Sequence, residues 1–197
     1  MDIISSYLSE KNKKYLNLSQ SGIDSEIYGY KSGNFVYLKK SRGPKVWRDK
    51  TRDLIKKGSK EILFLGHGKK CVDTEANFCL VKDHVNLSGQ NPLIGENDSK
   101  FGPRFFDATD LYSKELRKKI KGKIEVKFLE GSVLIPKKLT SFTELEKRIL
   151  NLFSNSFKGL TQDVFAGALT AKHAGIKSAA LLNFDKKNHS IKRLLSL

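Results

Sequence analysis

Residues 83–117 read DHVNLSGQNPLIGENDSKFGPRFFDATDLYSKELR, and the elements on either side of them set the pattern of the whole chain. The stretch begins where a short apolar run, FCLVKD at 78–83, leaves a predicted strand. From His84 to Ala108 there is no apolar period, and five residues are Gly or Pro. A loop of that length inside a compact domain is usually kept for function. Regular structure resumes near Thr109: Tyr112, Leu116 and Ile120 fall four apart on one helical face, and Gly122 stops the pattern.

Upstream, aromatic and β-branched residues at 26–31 and 34–39 flank Ser32-Gly33 and predict a hairpin. Lys45 to Lys57 reads as a helix burying Trp47, Leu54 and Ile55, with Gly58 as its stop, and EILFL at 61–65 as a central strand. Downstream, two short strands are expected at 124–128 and 132–135. A Ser141-x-x-Glu144 capping box then opens a helix carrying Leu145, Ile149 and Leu152 and ending near Phe153. A last helix from Asp163 to Ala174, closed by Gly175, precedes the strand KSAALLN at 177–183. Alternating strands and helices of this kind predict one α/β domain over 1–197, with helices packed on the faces of a sheet.

The chain has 197 residues, 39% of them hydrophobic, enough for one substantial core. No apolar run approaches the ~20 residues of a membrane span, and MDIISSYLSEKNKKYL lacks the order of a signal peptide, so a cytoplasmic protein without membrane contact is expected. Cys71 and Cys79 have no partners at zinc spacing and are expected to be reduced thiols; no metal and no organic cofactor is implied. The 37 Lys and Arg against 21 Asp and Glu leave a formal charge of +16. Such a surface attracts anions, whether phosphate, nucleotide or nucleic acid. The basic residues do not gather around a recognisable nucleic-acid module, so nucleic acid is the less favoured partner.

The loop and its exit resemble, nearly position by position, the corresponding segment of trimeric purine nucleoside phosphorylases, the type that includes methylthioadenosine phosphorylases. The matching residues are Asp83-His84, Asn86-Leu87, Gly89-Gln90-Asn91-Pro92-Leu93, Asn97-Asp98, Phe101-Gly102, Arg104-Phe105 and the Tyr112…Leu116-Arg117 helix. Weaker echoes lie at Glu130-Gly131 and at Ala171–Ile176, so the resemblance covers roughly 34–184 and is strongest over 83–117. It implies a central mixed β-sheet flanked by helices, nucleoside phosphorylase-like and shortened at both ends. It also implies a reaction, phosphorolysis of a purine nucleoside to free base and ribose 1-phosphate, with phosphate as co-substrate. An enzyme of this kind would be a pentosyltransferase of purine salvage, assembled as a homotrimer or with a homologue.

Carried over residue by residue, the resemblance places phosphate against Arg42, where an Arg-x-His motif becomes Ser41-Arg42-Gly43-Pro44, and against His67 and Gly68 in the loop Gly66-His67-Gly68-Lys69-Lys70. The first glycine-serine-glycine phosphate loop of the family has no counterpart in these residues. A family serine before the last helix becomes Asp163, a carboxylate that would repel phosphate and whose simplest role is to cap that helix. On the purine side the candidates are Glu144, which its capping-box spacing from Ser141 explains without any ligand, and Asn183. Phe105 is expected to cover the ribose of a neighbouring subunit. His84 and His173 are expected to be hydrogen-bonded structural residues, and His189 is given no role. Three functions stay open: an active phosphorylase, a relative that keeps the scaffold as a binding or assembly subunit without turnover, and a basic nucleic-acid-binding protein on the same fold.

Overall fold

The computed structural model describes the backbone of residues 25–30 and 33–38 and, with side chains, residues 43–122, 127–153 and 155–185. Two strands, β1 (Ser25–Tyr30) and β2 (Gly33–Leu38), pair antiparallel with Tyr30 opposite Gly33, so the predicted hairpin forms with each strand one residue earlier. Helix α1 (Pro44–Lys56) follows, with Pro44 at its first turn, where the missing N–H is no loss. Trp47 and Leu54 are fully buried on one face, and Gly58, at φ +87, ends the run in the left-handed region that favours glycine.

The remaining elements are β3 (Glu61–His67), β4 (Lys69–Lys70), β5 (Phe78–Asn86), α2 (Lys114–Lys121), β6 (Phe128–Ile135), α3 (Glu144–Leu152), β7 (Phe157–Leu160), α4 (Phe165–His173) and β8 (Lys177–Asn183). The eight strands form one mixed sheet in the order β1-β2-β3-β8-β5-β6-β7-β4. Strands β2, β3 and β8 run parallel, β5 runs antiparallel to β8, β6 and β7 run parallel to β5, and β4 is antiparallel to β7. Alternation along the central strands sends their two side-chain sets to opposite faces. Ile62, Phe64, Cys79, Val81, Ala180 and Leu182 join Trp47, Leu54 and Phe165 of α1 and α4. Leu65, Phe78, Leu80, Ala179 and Leu181 pack with Leu116 and Ile120 of α2.

One connection closes the sheet. Gly68 alone separates β3 from β4, yet β3 lies between β2 and β8 while β4 lies on β7 at the far edge. Two residues span at most ~7 Å, so the sheet must wrap until its far edge meets the strand it left. Close backbone approach at this seam explains the glycines. A Cβ on Gly68 would lie 2.7 Å from the carbonyl oxygen of Leu160, and one on Gly66 would lie 2.6 Å from Val164 Cγ1.

Several sequence expectations need correction. α2 starts at Lys114, two residues after Tyr112, because the Ser113 hydroxyl accepts the Leu116 N–H and caps it there. The two strands expected at 124–128 and 132–135 are one strand, β6, over 128–135; residues 123–126 lie outside the described residues. The capping box is not Ser141 with Glu144. It is Thr143 with Glu146, whose carboxylate accepts from the Thr143 and Lys137 amides at 2.7 Å each. β4 and β7 were not expected from the sequence.

Candidate functional site

Strands β3 and β8 end side by side, with His67 in register with Asn183. In α/β sheets the carboxyl ends of parallel strands are where ligands collect, and His67, Asn183, Thr161 and Asp163 meet at this one. The Gly68 N–H donates to the Asn183 carbonyl at 3.1 Å, continuing the ladder into the seam. Asn183 is buried, and its side-chain oxygen accepts the Asp185 N–H at 2.9 Å. Beside them, the turn after β7 folds over the end of β3. The Thr161 hydroxyl donates to the His67 carbonyl at 2.7 Å and accepts the Asp163 N–H at 2.9 Å. The carboxylate of Asp163, only 6% exposed, accepts the His67 N–H at 3.0 Å.

Asp163 therefore does not cap α4, which has no side-chain cap. The helix starts instead from Val164, whose φ of +66 and ψ of −34 let Phe165 N–H reach the Asp163 carbonyl at 2.8 Å in a γ-type turn. That geometry aims the carboxylate at β3 and away from the helix amides.

The structure brings His67, Gly68 and Asn183 together at one strand end. Glu144 lies on the exposed first turn of α3 and accepts Lys147 Nζ at 2.6 Å, while the neighbouring Glu146 makes the cap. The chain leading to α3 does approach the seam: Lys69 Nζ donates to Leu139 O, and Gln162 Nε2 to Lys137 O, both at 2.7 Å. Arg42 and His189 lie outside the described residues. Thr161 and Gln162 were missed in the sequence; Thr161-Gln162-Asp163 matches a hydroxyl-closed turn, which was the available signal.

Phe105 lies elsewhere. It is 86% exposed on the long loop and, with Phe106, Arg104, Asn97 and His173, lines a cavity of about 280 Å³. His173 closes the C-terminal end of α4 whereas Asp163 precedes its N-terminal end, so roughly 13 Å of helix separates the two places. His173 Nε2 meets Asn97 Oδ1 at 3.1 Å, and His84 Nδ1 meets the Tyr112 hydroxyl at 2.9 Å, as expected of structural histidines. Burial holds His84 below the ordinary imidazole pKa, although Asp83 opposes this. Burial also pushes the thiols of Cys71 and Cys79 up to about 11 and about 12, which suits unreactive free cysteines. Among the described residues no group of three or more His, Cys, Asp or Glu could hold a metal, and no helix is long and apolar enough to cross a membrane.

No family model matches the chain. Individual proteins do. Purine nucleoside phosphorylase 1 of Geobacillus stearothermophilus is 33% identical over 101 residues, covering 50% of this chain and 36% of that protein. The corresponding protein of Bacillus subtilis is 28% identical over 123 residues (59% and 45%), and the mouse purine nucleoside phosphorylase 31% over 107 (50% and 36%). The matched region thus spans less than half the length of these relatives. The Schistosoma mansoni purine nucleoside phosphorylase in complex with BCX-34 shares the fold with a TM-score of 0.64 at 19% identity, covering 79% of this chain and 64% of that one. A purine nucleoside phosphorylase in complex with ribose 1-phosphate follows at 0.62, also at 19% identity, covering 78% and 62%.

Proposed function

We propose, from the premise that this chain is related over half of its length or slightly more to purine nucleoside phosphorylases, that it is a purine nucleoside phosphorylase-like protein. Its nominal reaction is phosphorolysis of a purine nucleoside to free base and ribose 1-phosphate. The observation that carries this reading is the closed sheet, which sets His67, Gly68 and Asn183 at one strand end. Fold neighbours hold ribose 1-phosphate and hypoxanthine. In this reading Asn183 addresses the purine, and Glu144 on α3 is the second candidate for it. His67 and Gly68 face the phosphate, and Arg42, outside the described residues, is a further candidate ligand. Because Phe105 projects at the far end of α4, covering a ribose requires the Phe105 of a second copy, which supports an assembly such as a trimer.

A second reading is favoured by the bond from the His67 amide to Asp163: a family member that binds or assembles with little turnover. Losing one preorganised anion contact lowers rate by on the order of 10²–10³. The test is release of free base from inosine and guanosine with and without phosphate, alongside a native mass measurement. Phosphate-dependent release supports the enzyme; an oligomer without release supports the second reading; a monomer without release defeats both.

A further inference from the structure

We infer that the Asp163 carboxylate is an internal anion seated at the end of β3, occupying the backbone donor that an external phosphate would need. The inference rests on the reading of Gly66–Gly68 as the phosphate side of the site, and it states how access to that side is controlled.

Three observations place the carboxylate there by construction. First, its oxygen accepts the His67 N–H at 3.0 Å in a buried setting, so the donor a second anion would need is already taken. Second, Thr161 ties the segment to β3 from both sides, taking the Asp163 N–H and giving its own proton to the His67 carbonyl. Third, Val164 holds a positive φ of +66, a conformation that β-branched residues strongly disfavour and that persists only where the surroundings impose it. Gly66 completes the fit, since any Cβ there would collide with Asp163 Cβ at 2.9 Å and with Val164. A helix cap would need none of this strain; a carboxylate directed onto the strand end needs all of it.

The consequence is a strand end that a neutral ligand can approach freely and at which a dianion must displace the carboxylate. A purine nucleoside can approach Asn183, while phosphate competes with a tethered carboxylate for the His67 amide. Removing the carboxylate should turn that amide into an open anion donor.

The experiment is calorimetric titration of the full chain with inorganic phosphate and, separately, with inosine, for wild type, Asp163→Ala and Asp163→Asn. Asp163→Ala is expected to bind phosphate about tenfold or more tighter than wild type, the usual range for a gained charge-assisted bond. Asp163→Asn should gain less, because its amide oxygen can still accept from His67 while the charge is gone. Inosine affinity should be similar in all three. Equal phosphate affinity in wild type and Asp163→Ala overturns the inference, as does the absence of any gain in either variant when both melt cooperatively. If Asp163→Ala does not fold, Asp163→Asn decides alone. A phosphate gain with no inosine binding in any protein sinks the purine reading and leaves the internal anion standing; inosine binding without the gain does the reverse.

Discussion

Replacing Gly68 by Ala probes the seam most directly. The added methyl would sit 2.7 Å from the Leu160 carbonyl oxygen and 3.2 Å from the Phe184 ring. The ring can shift, but the carbonyl cannot move cheaply. Leu160 is paired with Lys69 on one side and with Leu134 on the other, and the next residue bonds back to Leu134 O at 3.0 Å. Overpacking against fixed neighbours costs about 1–3 kcal/mol, and contact with backbone puts this case in the upper half, about 2–3 kcal/mol. For a chain of this size that corresponds to a fall in Tm of roughly 4–12 °C. Gly122→Ala is the control: its φ of −69 is helical, and the nearest atom to a new Cβ is 3.7 Å away. It should be neutral or gain about 0.4–1 kcal/mol. The assay is thermal unfolding by circular dichroism, with amide exchange at Lys69 to Cys71 as a local readout. If Gly68→Ala melts within a degree or two of wild type, and those amides stay protected, the strand end is not packed against β7 as described.

Thr143→Ala, which removes the hydroxyl of the capping box on α3, should cost about 1 kcal/mol in chemical denaturation. Burial pushes the Glu146 carboxyl up, but the Thr143 and Lys137 amides and the Thr143 hydroxyl outweigh it and leave its pKa below the ordinary value. Its contribution is therefore complete above the unfolded-state pKa and is lost as pH falls through the lower folded-state value, so Glu146→Gln should flatten the acid limb of stability against pH. The His84 imidazole should titrate below the ordinary value of about 6.5 in an NMR pH series, and stability should drop as pH falls through that unfolded-state value; a normal titration would refute the buried contact with Tyr112. Phe105→Ala should leave unfolding within about 0.5 kcal/mol of wild type, because the ring is 86% exposed, while reducing nucleoside turnover or the oligomer mass.

Much of the architecture was legible in the amino-acid order because it depends on neighbours in sequence. Pro44, the buried spacing of Trp47 and Leu54, and Gly58 define α1; EILFL and KSAALLN define β3 and β8; and the 83–117 segment points to the purine nucleoside phosphorylases to which the chain is similar. For α1, β3 and β8 the deciding pattern is local, a helical period in the first and a short apolar run in the other two. The seam was not legible. β4 has two residues and β7 four, too short to show a period; β4 exists through pairing with β7 about ninety positions away, and β7 through that pairing and its parallel pairing with β6. Asp163 illustrates the same limit. Beside a helix start, a carboxylate predicts a cap, and only the wrap of the sheet brings the His67 amide to it. Local sequence thus determined the helices and the longer strands and which relatives they resemble. The tertiary structure alone decided where the sheet closes and which anion sits at that closure, because both depend on groups that the chain joins only after folding.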